Sequence, residues 1–237
     1  MSVQESGAAA VASQRAEPNR SPALRLTGLV LLLSLAGFAG LTIAVGTGAA
    51  RGLDERIVEF FRPHGYWGDL QIWVDVIVEG LRPLTVAALT AACASVAAVR
   101  LRSWWPLACT GLTFFAGTAM ALAVKLALAR PDVSGEIGGV GGSFPSGHVV
   151  AVLLAAGCVV LMGHWGRPWL AWAFAGVVGG VMGWALIVQA AHWFTDVLAA
   201  VLLSVTVLVV ARLLPWHSSR DVQPPNRAGR PRLNQGS

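Results

Sequence analysis

The chain has 237 residues, 55% hydrophobic and only 12% charged, with ten tryptophans and a formal charge of +5 at pH 7. A mean hydropathy of +0.64 excludes an ordinary soluble domain, because so few charges cannot cover repeated uncharged runs of roughly 17 to 23 residues, the length that crosses a bilayer as helix. The positive charge is not a nucleic-acid signal, and no nucleic-acid partner is expected: the arginines are scattered over tails and short loops, and no basic patch carries interleaved aromatics.

In chain order, residues 1–23 are rich in Ala, Ser, Pro, Gln and Arg and are expected to be a disordered tail. The apolar run from Leu24 to about Thr47 is too long for a signal-peptide core of about 7 to 15 residues and is read as a retained span. Arg51 to Arg82 is mixed, with Ile57, Val58, Phe60 and Phe61 at helical spacing, and is expected to form one or two amphipathic helices at the interface. Further spans are expected at about 83–99, 104–124, 149–163, 169–191 and 193–212. The fifth span carries Gly176, Gly179, Gly180 and Gly183, small residues that let helices approach closely. Residues 215–237 are expected to be a disordered basic tail.

The fold class is therefore all-α: an integral membrane bundle of six transmembrane helices, residues 24–214, with an amphipathic segment between the first two. Six spans place both termini on one side, which receives eleven of the Lys and Arg residues, against six on the other. That asymmetry predicts cytoplasmic termini in the plasma (inner) membrane. Cys93, Cys109 and Cys158 all lie inside apolar runs without ligand-type spacing, so neither a disulfide nor a metal site is expected.

The polar residues that remain fall at the predicted outer ends of the spans. Pro145-Ser146-Gly147-His148 opens a helix, where unpaired backbone N–H groups and the helix dipole favour an anion. Ser146 adds a hydroxyl, Gly147 permits close backbone approach, and the run from Gly138 to Gly142 precedes them. His192 and Asp196 are four apart, placing them on one helical face; a carboxylate there fixes the imidazole tautomer and leaves the other ring nitrogen free to act. Lys125, the single lysine, ends an uncharged run and calls for an anionic partner.

These residues resemble the type 2 phosphatidic acid phosphatase family, membrane relatives of the vanadium haloperoxidases. Its signature is Lys, six residues, Arg-Pro; then Pro-Ser-Gly-His; then Ser-Arg, five residues, His, three residues, Asp. The second part stands complete at Pro145 to His148, and the third is matched in part, at His192 and Asp196. In the first part only four residues separate Lys125 from Arg130-Pro131, so the usual arginine position falls on Asp132; in the third, Ala185-Leu186 replaces Ser-Arg.

The resemblance implies a six-span phosphatase acting on a lipid phosphate or polyprenyl (di)phosphate at the outer membrane face, without cofactor or metal. It implies His192 as nucleophile forming a phosphohistidine, Asp196 orienting it, His148 as acid, and Lys125, Arg130, Ser146 and Gly147 on the phosphate. Two residues can be argued from position to compensate for the arginine absent at Leu186: Arg82, which begins the second span, and Gln189. Phosphotransfer to another acceptor and lipid-phosphate binding without turnover are the alternatives.

Overall fold

A computed structural model describes residues 22–138 and 140–217. The expected N-terminal tail up to residue 21, the C-terminal tail beyond His217 and Gly139 of the glycine run lie outside the described residues. Among the described residues the structure is helical: α1 (Pro22–Gly46), α2 (Arg51–Phe61), α3 (Asp69–Gly80), α4 (Pro83–Arg100), α5 (Trp105–Leu128), α6 (Gly147–Met162), α7 (Pro168–Val188) and α8 (Phe194–Ala211).

Proline marks the starts, as its fixed φ and missing N–H allow: Pro83, Pro106 and Pro168 stand in the first turns of α4, α5 and α7. Five helices, α1, α4, α5, α7 and α8, are long and apolar enough to cross a membrane, the architecture of an integral membrane protein. The sixth apolar helix, α6, has 16 residues and is roughly 24 Å long, shorter than a hydrocarbon core of about 30 Å.

That short helix is the hub. It packs against α4, α5, α7 and α8, and ten of its sixteen residues are buried. A helix apolar all round and enclosed by neighbours behaves as core. By contrast α1 lies mainly on α8 and leaves most of its surface outward. Small residues bring the neighbours close: a Cβ on Gly117 of α5 would strike Leu154, one on Gly179 of α7 would strike Leu153, and one on Gly157 of α6 would strike Leu208. Of the glycines expected to serve α7, Gly179 and Gly183 face neighbours, whereas Gly176 and Gly180 face open space.

The segment between the first two apolar helices forms two helices, α2 and α3, joined by a turn of 3₁₀ helix at Pro63–Gly65. They are not merely laid at an interface. Both contact α7, and α2 also contacts α8, so they roof one end of the bundle. Asp54 on α2 and Gln71, Val74 and Val78 on α3 are buried in doing so.

Candidate active site

The roofed end gathers residues from five elements. α5 runs four residues beyond its expected end at 124, so Lys125 lies within its last turn. The chain then reverses at Ala129, whose φ of 42° is left-handed. It returns through Gly141 (φ 77°) and Gly142 (φ 103°), a backbone region that glycine enters without Cβ strain. Contact demands glycine there too, since a Cβ on Gly142 would fall 2.5 Å from the carbonyl oxygen of Arg130. The returning strand of loop is tied down: Lys125 Nζ donates to the Gly142 carbonyl at 2.6 Å, and Ser143 N–H donates to the Arg130 carbonyl at 2.8 Å.

This return delivers Ser146 to the N-cap of α6. Its N–H donates to the Asp196 carbonyl at 3.1 Å, joining the α6 and α8 starts. Its hydroxyl is fully buried and has no hydrogen-bond partner among the described residues. Such a group costs free energy until something occupies it. The N–H groups of Gly147, His148 and Val149, in the first turn of α6, have no intrahelical acceptor, and a Cβ on Gly147 would meet only open space. Orphan N–H groups, an orphan hydroxyl and room beside them are what an oxyanion needs.

His192 arrives differently from expectation. α7 ends at Val188, and Ala190 takes a left-handed φ of 52°. The N–H of Ala191 then donates back to the Leu186 carbonyl at 3.0 Å, a helix-ending reversal. His192 therefore precedes α8 and does not share a helical face with Asp196. They meet because Asp196, in the first turn of α8, reaches back: its Oδ2 accepts from the Trp193 N–H at 3.2 Å and lies 3.3 Å from His192 Nδ1. The His148 and His192 rings meet edge to face, with centroids 6.5 Å apart and planes inclined at 66°.

Arg130, expected on the substrate phosphate, lies behind Asp196 instead. Nη1 donates to Asp196 Oδ1 at 2.6 Å and to Thr195 Oγ1 at 2.8 Å, and Nη2 donates to Asp54 Oδ2 at 2.6 Å. Asp54 also accepts from the Thr195 N–H at 3.0 Å and its hydroxyl at 2.6 Å, so a carboxylate caps the α8 N-terminus from a second helix.

Leu186, where the family arginine is absent, is a core residue at 1% exposure. Gln189 is not a phosphate ligand in this arrangement: its side-chain Nε2 donates to Asp75 of α3, and its backbone carbonyl accepts from Arg62 Nη1 at 3.3 Å. Arg82 caps α4 and pairs with Glu79; both, like Lys125, are close enough to His148 to interact electrostatically.

No family model matches the chain, and no curated protein matches it. Among solved structures it is similar to the first transmembrane PAP2-type phosphatidylglycerolphosphate phosphatase from Bacillus subtilis. The TM-score is 0.66 at 18% identity, over 77% of this chain and 94% of that one. The chain shares the PAP2 fold. At that identity the likeness speaks for the fold, and the chemistry rests on the residues above.

Within the PAP2 fold the structure assembles seven of the eight candidate residues, Lys125, Arg130, Ser146, Gly147, His148, His192 and Asp196, around one end of α6 and α8; Arg82 stands beside His148. Asp54 and Thr195 were missed. A signal existed for Asp54: it shares the stripe of Ile57, Val58 and Phe61 at helical spacing, and a carboxylate on the apolar face of an amphipathic helix is buried and needs partners.

Proposed function

We propose that the protein is a membrane phosphatase that hydrolyses a lipid phosphate or polyprenyl (di)phosphate through a phosphohistidine on His192. The observation that supports this most is the edge-to-face pair of imidazoles, one backed by a buried carboxylate and the other opening a helix beside an unpartnered hydroxyl.

In the first step Asp196 holds the Nδ1–H of His192, and Nε2 attacks phosphorus. An N–P bond forms as the P–O bond to the lipid breaks, and the proton on His148 passes to the departing oxygen. In the second, neutral His148 takes a proton from water, the water oxygen attacks phosphorus, and the N–P bond breaks to release inorganic phosphate. The equatorial oxygens are held by Lys125, the Ser146 hydroxyl and the first N–H groups of α6, donors fixed in place before charge develops. Arg82 supplies the further cation by exchanging Glu79 for phosphate, its planar guanidinium suiting a bidentate grip. The termini are cytoplasmic and the site opens to the outer face, as the eleven-to-six asymmetry of basic residues suggests.

The test is phosphate release by detergent-purified protein from diacylglycerol and polyprenyl mono- and diphosphates. His192→Ala serves as control, with protein quenched in alkaline detergent and probed for an acid-labile, base-stable phosphohistidine. Release by wild type and none by His192→Ala is the expected result. Equal release by both overturns the mechanism. Binding of these lipids without release identifies a non-hydrolytic relative, and phosphoryl transfer to an added alcohol in preference to water identifies a phosphotransferase.

A further inference from the structure

The network behind Asp196 has a function that the phosphate chemistry itself does not assign. We propose that Asp54, on the roofing helix α2, is a positioning residue that sets the charge and orientation of the His192–Asp196 pair through Arg130 and Thr195. This rests on the reading of His192 as nucleophile.

The geometry supplies the reason. A guanidinium bound to Asp196 alone would spend that carboxylate's charge on an ion pair and weaken its hold on His192. Asp54 divides the guanidinium: Nη2 goes to Asp54 and Nη1 to Asp196, each at 2.6 Å. Two carboxylates then share one guanidinium, so the two aspartates carry one negative charge more than Arg130 neutralises, in a buried cluster whose open side faces His192 Nδ1. A negative charge there stabilises the positive imidazole ring, both as imidazolium and as the N-phosphorylated ring. Both carboxylates are fully buried, where such effects are least screened.

Thr195 completes the relay. Its hydroxyl, 2.6 Å from Asp54 Oδ2 and 2.8 Å from Arg130 Nη1, locks the two together, and its N–H, held by Asp54 Oδ1, fixes the first turn of α8 that carries Asp196. Arg130, separated from Lys125 by four residues, is committed to this cluster rather than to the phosphate. Around the two rings stand the remaining charges: Lys125, which interacts electrostatically with both Asp196 and His148, and the Glu79–Arg82 pair beside His148.

The experiment is a double-mutant cycle with Asp54→Asn and Asp196→Asn, read as kcat and KM, and the titration of His192 followed by ¹⁵N-histidine NMR of the full chain in detergent. Asp54→Asn should lower kcat at least tenfold while KM stays within about threefold. The double variant should be no slower than Asp196→Asn alone within threefold, because the first acts through the second. The His192 midpoint should move to lower pH in Asp54→Asn, since a stabilising negative charge is gone.

A kcat within twofold of wild type, losses that multiply in the double variant, or an unmoved His192 midpoint overturns the proposal. If Asp54→Asn fails to accumulate as folded protein, Thr195→Val decides. A three- to tenfold lower kcat supports the relay, and a wild-type kcat overturns it. Absence of turnover in wild type would refute the phosphatase reading, while the His192 titration would still judge the role of Asp54.

Discussion

The two ends of α6 each carry a pair of histidines, and only one pair is built into a site. At the N-terminal end His148 and His192 meet edge to face at 6.5 Å; at the C-terminal end His164 and His217 are closer, at 4.3 Å. Proximity of imidazoles is therefore not what distinguishes them. His148 stands in the first turn, where unpaired N–H groups favour an anion, whereas His164 follows Gly163 just past the last turn, where carbonyls disfavour one. Asp196 holds His192 from behind, while among the described residues no carboxylate pairs with His164. A catalytic pair needs the carboxylate and the helix start, and His164 has neither among the described residues.

The largest effect expected follows directly. His192→Ala should reduce phosphate release by about 1000-fold or more and Asp196→Asn by on the order of 100-fold, as when members of a nucleophile–base unit are removed. His164→Ala should leave kcat within twofold. A comparable loss from His164→Ala would break the contrast between the ends.

Next in size is the question of cations. The position of the absent arginine, Leu186, lies in the core among residues such as Val149 and Met182. A guanidinium placed there is buried without a partner, which costs several kcal/mol. Leu186→Arg should therefore lower the thermal midpoint and restore nothing. Arg82→Gln should raise KM and lower kcat/KM at least tenfold with expression unchanged. Rescue by Leu186→Arg would show that α7 can rotate toward the site. A silent Arg82→Gln in an active enzyme would confine Arg82 to its pair with Glu79.

How far the site could be read from sequence depended on whether its chemistry was local. Pro145 to His148 was legible because a helix start is written in adjacent residues, and the span positions because apolar runs state their own lengths. The His192–Asp196 contact was expected for the wrong reason. Spacing by four suggested a helical face, whereas the structure uses a left-handed Ala190 and a side chain reaching back across a helix start. Nothing local marks such an alanine. The pairing of Arg130 with Asp54, 76 residues away, was invisible because the apolar stripe that marks Asp54 for burial does not say which distant cation meets it. Gln189 looked polar enough for phosphate until α3, folded over it, supplied Asp75.

A smaller effect separates the ends of α6 through their glycines. Gly147 at the start has open space where a Cβ would stand, and Gly163 after the end has the Trp165 ring there. Trp165 is itself fixed by its Nε1–H donating to the Val160 carbonyl at 2.9 Å. Gly163→Ala should destabilise the fold by about 1 to 3 kcal/mol, the usual cost of overpacking, with activity per folded molecule unchanged. Gly147→Ala should leave the thermal midpoint alone and raise KM several-fold by crowding the phosphate. Thermal unfolding and steady-state kinetics on the two variants give opposite patterns if the ends differ as described, and the same pattern if they do not.

The smallest effect concerns the loop that leads into the site and has no counterpart at the distal end. Asp132, where the family pattern places arginine, accepts from the Ser134 hydroxyl at 2.5 Å, the Ser134 N–H at 2.9 Å and the Glu136 N–H at 3.0 Å. These bonds, the Ser134 hydroxyl foremost, hold its carboxyl below the ordinary value of 3.8. The sign is that of a depressed acid: the turn is at full strength above the ordinary carboxylate value and loosens only as pH falls through the lower folded one. Amide exchange at Ser134 and Glu136, corrected for intrinsic rates, should show constant protection from pH 7 to 5 and loss only in stronger acid. Asp132→Asn, which keeps an acceptor but cannot titrate, should show weaker protection with no acid step. Protection that falls between pH 7 and 5 in the wild type would mean that a group other than Asp132 governs the loop.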